Sequence, residues 1–342
     1  MRASPIKVTF WPMGDYTTAS TRYRLLELLP YLDPSEIKPM LLKGGKTNAL
    51  KAVRGILACQ TSACLFIQKK LFPPAYLSIL RGLTKTIIYD VDDALYTQQR
   101  NPTPDEVRAG LMVKIRFDAM VRAADFIICG NQHLSDYLRE HGKRTSVIAT
   151  SYYSHDVPQK IHEEKQVIVI GWVGSKGTLT YLDLIAPVLK KLVAAGRKIV
   201  LHVVSDDVYR YAELGHVIVN IPWSAETESE EILKFDLGIM PLYDDEWSRG
   251  KCAFKAIQMM AFGIPVIASP VGANREVIQH GVDGYLAQNE REWKTAIIDL
   301  SDSVALRRRM GAEARQSVNN KYSLKNAGKA LQKAILENCV KR

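Results

Sequence analysis

The sequence predicts an α/β protein built from two doubly wound domains. Short β-rich runs alternate with longer helical stretches along the whole chain. Many of the short runs are apolar on both faces, as in Val167-Ile-Val-Ile170, which suits parallel strands covered on both sides. The chain's 342 residues are enough for about two domains, each with its own core.

In the first half the predicted strands are Ile6–Trp11, Ile37–Leu42, Cys64–Ile67, Thr86–Asp90, Phe126–Cys129 and Ser146–Ala149. Helical patterns cover Thr21–Tyr31, Pro104–Ala123 and Asn131–His141. In the second half the strands are Val167–Val173, Ile199–Val204, Val217–Asn220, Leu237–Leu242, Pro265–Ala268 and Gly284–Ala287. Helical patterns there are Thr178–Ala195, Ala225–Lys234, Lys251–Phe262 and Leu324–Cys339. The polar stretch 151–166, with Pro158, reads as the linker. This divides the chain into an N-terminal domain (1–150), the linker (151–166), a C-terminal domain (167–322) and a final helical segment (323–342). Two such domains facing each other leave a central cleft, and ligands of doubly wound sheets bind beyond the carboxyl ends of the strands.

Composition narrows the class. Apolar residues make up 47% and charged residues 24%, which excludes wholesale disorder and low-complexity architecture. No apolar run reaches the ~18 residues of a membrane span. The run Ile6–Trp11 is too short for a signal peptide. The five cysteines form no CxxC pair, so a zinc ribbon or redox motif is not expected, and the chain reads as reduced and cytoplasmic.

The net charge of +10 is uneven. Residues 1–150 hold 21 basic and 13 acidic residues, against 25 and 23 in the remainder. From Ile37 to Tyr89 nine Lys or Arg occur with no Asp or Glu, interleaved with Leu50, Val53, Ile56, Leu57, Leu77 and Leu80. Such a mixture suits an anionic membrane surface through residues 37–89, which would make the protein peripheral on the inner face. It equally suits a solvated basic face over ordinary core residues. No zinc-finger spacing, RNA-recognition signature or basic heptad region supports nucleic acid as a partner.

Several familiar patterns fail. Gly45-Lys46-Thr47 ends like a P-loop, but Met40 stands where the first glycine belongs. Asp90-Val-Asp92-Asp93 has the oxygen ligands for Mg²⁺ but no partner acid motif, so no metal site is assigned. Gly171-Trp-Val-Gly174 does not have the dinucleotide glycine spacing. HExxH and GxSxG are absent.

The most informative stretch is Gly250 to Ser269, read as loop, helix, glycine stop at Gly263, Pro265 and buried strand. A helix N-terminus near Lys251 offers free N–H groups to an anion, and Lys251 and Lys255 add charge one turn apart. Lys176, beyond the strand Val167–Val173, lies in a neighbouring loop of the same sheet.

With Lys255-Ala-Ile-Gln-Met-Met-Ala-Phe-Gly-Ile-Pro-Val-Ile-Ala268 and Val271-Gly-Ala-Asn-Arg-Glu-Val-Ile-Gln-His-Gly-Val-Asp-Gly-Tyr-Leu286, the chain resembles the family 4 retaining glycosyltransferases of the GT-B fold. Weaker support comes from Ala19-Ser-Thr-Arg-Tyr-Arg24, Ile88–Ala94, Ala124–Asn131 and Gly171–Gly174. The resemblance implies two Rossmann-like domains and a nucleotide-sugar donor, with no further cofactor and no metal. The family usually has two glutamates eight positions apart, one near the donor sugar and one on the ribose. Gly250 and Gln258 stand at the matching positions. Gln258 retains hydrogen-bonding groups, whereas Gly250 cannot replace a carboxylate. This resembles a branch in which Gly-Lys and Lys-x-x-Gln take those places.

The resemblance implies transfer of a sugar to a glycan or lipid-linked acceptor, as in cell-surface polysaccharide biosynthesis, with retention of configuration. Donors and cations aimed at the diphosphate stabilise its growing charge. The donor-side residues are then Gly14, Gly174, Ser175, Lys176, Lys251, Lys255, Gln258 and Glu276. Of these, Gly14 also reads as a plain tight turn and Glu276 as a complement to its helix dipole. Asp92 and Asp93 are the catalytic candidates, orienting the acceptor or balancing positive charge, and they read equally as turn caps. Arg22 and Arg24 are acceptor-side candidates, or an exposed helix face. Trp223 stacks on the base or belongs to the core. The final helical segment matches a family habit of returning to the first domain. The alternative reading is a catalytically silent nucleotide-sugar or glycan-binding protein on the same fold.

Overall fold

The computed structural model describes residues 4–100, 102–153 and 157–339. Residues 154–156 of the predicted linker and 340–342 of the predicted terminal segment lie outside the described residues, as do 1–3 and 101.

In chain order the elements are β1 (Ile6–Pro12), α1 (Ala19–Thr21), β2 (Ile37–Leu41), α2 (Ala49–Thr61), β3 (Cys64–Gln68), α3 (Pro74–Leu83), β4 (Thr86–Val91), α4 (Pro104–Ala123), β5 (Phe126–Cys129), α5 (Gln132–Glu140) and β6 (Thr145–Val147). There follow β7 (Ile168–Val173), α6 (Ala186–Ala194), β8 (Ile199–Ser205), β9 (Ile218–Pro222), α7 (Glu228–Leu233), β10 (Leu237–Met240), α8 (Glu246–Arg249), α9 (Phe254–Ala261), β11 (Val266–Ala268), α10 (Asn274–Val277), β12 (Gly284–Leu286), α11 (Glu290–Asp302), α12 (Val304–Lys321) and α13 (Leu324–Cys339).

The chain divides into two compact units, and neither is continuous in sequence. One comprises the residues up to Ser151, together with Asp245–Cys252 and the chain from Leu324 onward. The other comprises Tyr152–Asp244 and Ala253–Ser323.

The first unit holds a six-stranded sheet in the order β2-β1-β3-β4-β5-β6, all of its pairs parallel. Strands β3, β4 and β5 are buried along their whole length, so apolar side chains occupy both faces. Trp11, Phe72 and Tyr76 pack as one aromatic group at this core. The chain leaves β1 toward β2 and then returns to the other side of β1 as β3, so the sheet's direction reverses between β1 and β3. The loops after these two strands, starting at Met13 and Lys69, therefore flank the switch point.

The second unit repeats the plan with the parallel order β12-β11-β10-β7-β8-β9. Its switch point lies between β7 and β10. Gly263, predicted as the helix stop, has φ of 76°, the left-handed conformation that glycine adopts without steric cost.

Four predicted helices depart from their patterns. Ala225–Lys234 contracts to Glu228–Leu233. Thr21–Tyr31 resolves into α1, one turn of π-helix over Arg22–Leu26 and a 3₁₀ turn at Leu29–Tyr31 that contains Pro30. Thr178–Ala195 is a 3₁₀ stretch over Lys176–Leu184 followed by α6, whose first turn takes Pro187. The helix predicted from Lys251 starts at Phe254, because Ala253 is left-handed with φ of 53° and ends the preceding path.

Candidate functional site

The first unit concentrates charge at the carboxyl ends of β3 and β4. Lys69, the first residue after β3, has φ of 53°, a conformation that costs a residue with a Cβ. Its backbone N–H donates to the Asp90 carbonyl at 2.7 Å. Its ammonium then reaches both acids that follow β4, lying 2.9 Å from Asp92 Oδ1 and donating to Asp93 Oδ2. Lys251 Nζ takes the other oxygen of Asp93 at 2.8 Å and sits 4.5 Å from the centre of the Trp247 ring.

The electrostatic consequences follow from the geometry. Burial opposes the charge on Lys69, but the two carboxylates outweigh it and hold the ammonium's pKa above its usual value. Burial likewise opposes ionisation of Asp93, but Lys69 and Lys251 outweigh it and hold the carboxyl well below its usual range. Lys69 and Asp93 are therefore fixed in their charged forms at neutral pH.

The segment Asp245–Cys252 is seated on this cluster. Asn131, the N-cap of α5, donates its amide N–H to the carbonyls of Arg249 at 3.1 Å and Lys251 at 2.9 Å. The Cys252 thiol donates to the Asp92 carbonyl at 3.2 Å. Burial, then the Asp92 carboxylate, push that thiol far up, so it stays protonated. The Glu246 carboxylate accepts from Tyr96 Oη at 2.9 Å and meets His133 Nε2 at 2.8 Å. A Cβ on Gly250 would lie 2.6 Å from Ala94 Cβ and 2.8 Å from Ala94 N. This contact leaves no room for a glutamate at position 250.

Arg24 is fully enclosed. It forms a two-point pair with Asp90 and donates to the Ile148 carbonyl at 2.9 Å and Thr150 Oγ1 at 3.1 Å. It ties the ends of β4 and β6 together rather than facing outward. Arg22 is also buried, with its guanidinium 4.5 Å from the centre of the Tyr23 ring. Neither arginine forms an exposed helix face. The Gly14 N–H donates to Thr21 Oγ1 at 3.1 Å, and a Cβ there would lie 2.1 Å from Thr18 Oγ1, so the turn after β1 is tightly closed.

In the second unit the candidates occupy the ends of β7 and β9 and the helices α7, α9 and α10. A Cβ on Gly174 would strike Trp172 at 2.2 Å. Ser175 and Thr178 bond reciprocally and close the turn after β7. The Lys176 side chain is largely exposed and pairs with Asp207 at 2.8 Å, while its N–H donates to Asp206 at 2.6 Å. Lys255 Nζ lies 3.4 Å from Glu228 Oε1 and 3.2 Å from Gln258 Oε1. Because an ammonium only donates, this contact assigns the Gln258 oxygen to Lys255 and turns its amide nitrogen away. That nitrogen is buried and has no partner among the described residues. Trp223 is half-buried, and its indole N–H donates to Glu228 Oε1 at 2.7 Å. Glu276 is exposed on α10, and its carbonyl accepts from Tyr322 Oη at 3.2 Å.

The structure thus groups Asp92, Asp93 and Lys251 in the first unit, and Lys255 with Gln258 in the second. Lys176 lies apart on Asp207. The sequence reading missed Lys69, Asn131 and Glu228. Lys69 was accessible through the rule that residues just after switch-point strands face the ligand edge. Among the described residues no group of three or more His, Cys, Asp or Glu is placed to hold a metal.

Two parallel doubly wound units with polar residues gathered at their strand ends define an α/β protein of the GT-B fold. Residues 164–303 match the family model described as glycosyl transferases group 1, a range that falls mostly within the second unit. No curated protein sequence matches the chain significantly. Among solved structures, Anabaena HepE in complex with UDP and glucose has a TM-score of 0.67 at 12% identity, covering 96% of this chain and 99% of that one. Sucrose-phosphate synthase from Thermosynechococcus elongatus has a TM-score of 0.68 at 13% identity, covering 97% and 98%. The lipopolysaccharide outer core galactosyltransferase WaaB has a TM-score of 0.66 at 11% identity, covering 97% and 99%.

Proposed function

We propose that the protein is a retaining glycosyltransferase that moves a sugar from a nucleotide-sugar donor to a glycan or lipid-linked acceptor without a metal. The observation that carries this reading is the group 1 glycosyltransferase match, which spans Lys176, Lys255, Gln258 and Glu276. The UDP and glucose held by HepE support a nucleotide-sugar donor. The outer-core activity of WaaB supports an acceptor in cell-surface polysaccharide synthesis.

In this reading the second unit holds the donor. The backbone at Gly174 and Ser175, with Lys176, faces the diphosphate, and Lys255 and Gln258 face the nucleotide. Cations beside the diphosphate oppose the negative charge that grows as the sugar leaves. Asp92 and Asp93 serve the acceptor side, with Asp93 held ionised by Lys69 and Lys251. Lys251, bonded to Asp93, then orients the acidic pair instead of acting with Lys255 on phosphate. Departure and attack on the same sugar face preserve configuration, the leaving phosphate taking the acceptor's proton.

The test is a thermal-shift screen against nucleoside diphosphates and nucleotide sugars. Donor turnover with and without glycan and lipid-linked acceptors follows, with the product anomer read by NMR and EDTA present. Failure of every nucleotide to stabilise the protein would overturn the reading. Binding without turnover would favour a catalytically silent binding protein, the reading suggested by Gly250, where the contact with Ala94 excludes the family's carboxylate.

A further inference from the structure

We infer that the outward face formed by α2, α3 and α4 docks on an anionic lipid bilayer. This inference stands on the surface of the first unit and does not depend on the nucleotide chemistry proposed above. It gives the basic stretch 37–89 a definite face and extends that face to α4.

The apolar pattern on these helices runs the wrong way for a solvated surface. Helix α2 buries Gly55, Ala58 and Cys59 against the sheet, while Leu50, Val53 and Leu57 are 58%, 52% and 56% exposed. Those three residues, at spacings of three and four, form one outward stripe. Helix α4 repeats this with Val107, Leu111 and Ile115, of which Leu111 is 60% exposed. Helix α3 packs against both and presents Ile79 and Leu83 between them. Together these make one layer of adjacent stripes, larger than scattered exposed residues would give.

Charge decides the occupant. Arg54 is exposed beside the α2 stripe, Lys46 precedes that helix, and Lys85 follows α3. Arg108 and Lys114 flank the α4 stripe. From residue 37 to 89 no acid interrupts the cations. On α4, Glu106 is engaged in the capping box with Thr103, Asp105 lies 3.9 Å from Arg108 and Asp118 pairs with Lys114. The face's uncompensated positive charge therefore comes chiefly from the acid-free stretch with Lys46, Arg54 and Lys85. A protein interface would be depleted of charge at its centre. Leucine and isoleucine alternating with arginine and lysine instead match a bilayer surface, where cations meet lipid phosphates and apolar tips enter the acyl boundary. No helix among the described residues is long and apolar enough to cross a membrane, so this is a lateral contact.

The experiment is co-sedimentation of the full chain with vesicles of phosphatidylcholine alone or mixed with phosphatidylglycerol, at low and high salt. The expected result is binding to the anionic vesicles, weakened but not abolished by salt, with little binding to the neutral ones. The double variant Leu57→Glu, Leu111→Glu lies on exposed positions of two helices and should lower the vesicle partition coefficient at least tenfold. Its melting temperature checks that the fold is kept. Arg54→Glu should reduce binding mainly at low salt. No binding to anionic vesicles, or unchanged binding by the folded double variant, would overturn the inference. So would lipid-free dimerisation that the double variant abolishes, since the face would then serve a second copy of the chain.

Discussion

Replacing Lys69 by methionine keeps the length of its stem and deletes the one ammonium shared by Asp92 and Asp93. The side chains of Lys69 and Asp93 are 11% and 19% exposed, so water compensates only partly for the lost partner. Breaking a buried pair costs about 3–5 kcal/mol, and Lys251, still on Asp93, places this case at the lower end, about 3 kcal/mol. The loss must depend on pH. Asp93 has a depressed folded-state pKa, so its contribution is present above the unfolded value near 4 and disappears as pH falls through the folded one. Lys69, with a raised value, contributes fully at all pH below its unfolded pKa of about 10.4. Without Lys69 the carboxyl of Asp93 accepts a proton at higher pH, so the variant's deficit should be large at pH 7 and shrink below about pH 4, becoming clearly smaller by about pH 3. Urea unfolding of both proteins at neutral pH and at that acidic limit measures this. Lys69→Gly should be milder by about 1 kcal/mol, because glycine relieves the positive φ. A deficit that is equal or larger at acidic pH would refute the electrostatic reasoning.

Gly250→Ala should lower stability by about 1–3 kcal/mol, since its methyl meets the backbone as well as the side chain of Ala94; denaturant melts with no measurable change would contradict this packing. Arg24→Met should be among the most damaging changes, about 3–5 kcal/mol, because it strands the Asp90 carboxylate in the interior. The companion change Asp90→Asn should restore part of that loss in a double-mutant cycle. His162 donates from Nε2 to the Gly263 carbonyl at 2.9 Å, and burial holds its pKa down at about 4. The folded state thus resists its protonation, so stability is full above the unfolded value near 6.5 and falls by about 1.4 kcal/mol per pH unit down to about 4. His162→Gln should flatten that slope in a melting-temperature series. Lys255→Ala should remove the thermal stabilisation given by whichever nucleoside diphosphate binds the wild type, and an unchanged shift would detach Lys255 from the nucleotide.

The sheets were legible because their interiors are written in consecutive apolar residues. Leu65-Phe-Ile67 and Ile87-Ile-Tyr89 can be buried on both faces only within covered parallel sheets. Helix boundaries were less legible where a distant contact overrides local periodicity. The pattern from Lys251 to Phe262 is helical throughout, but Asn131 binds the carbonyls of Arg249 and Lys251 from 118 and 120 residues away. Pro187 and Pro30 mark the other two interruptions and were readable. The acids after β4 were legible from their position at a strand end. Their cation was readable by the same strand-end rule but was passed over, because Lys69 sits in a long basic run where a solvated surface is the simpler reading. Glu228 was hidden in the same way, inside a Glu-rich helix start, although its carboxylate is buried against Trp223 and Lys255.

The backbone passes from one unit to the other four times, at Ser151, Asp244, Cys252 and Ser323. A fragment cut after the predicted first domain would therefore lack the eight residues that bring Lys251 to Asp93. It would also lack the terminal helix whose Gly328 closes on Tyr31. The protein cannot be divided at its linker into two self-sufficient pieces, and a split reporter or domain swap would have to respect all four crossings.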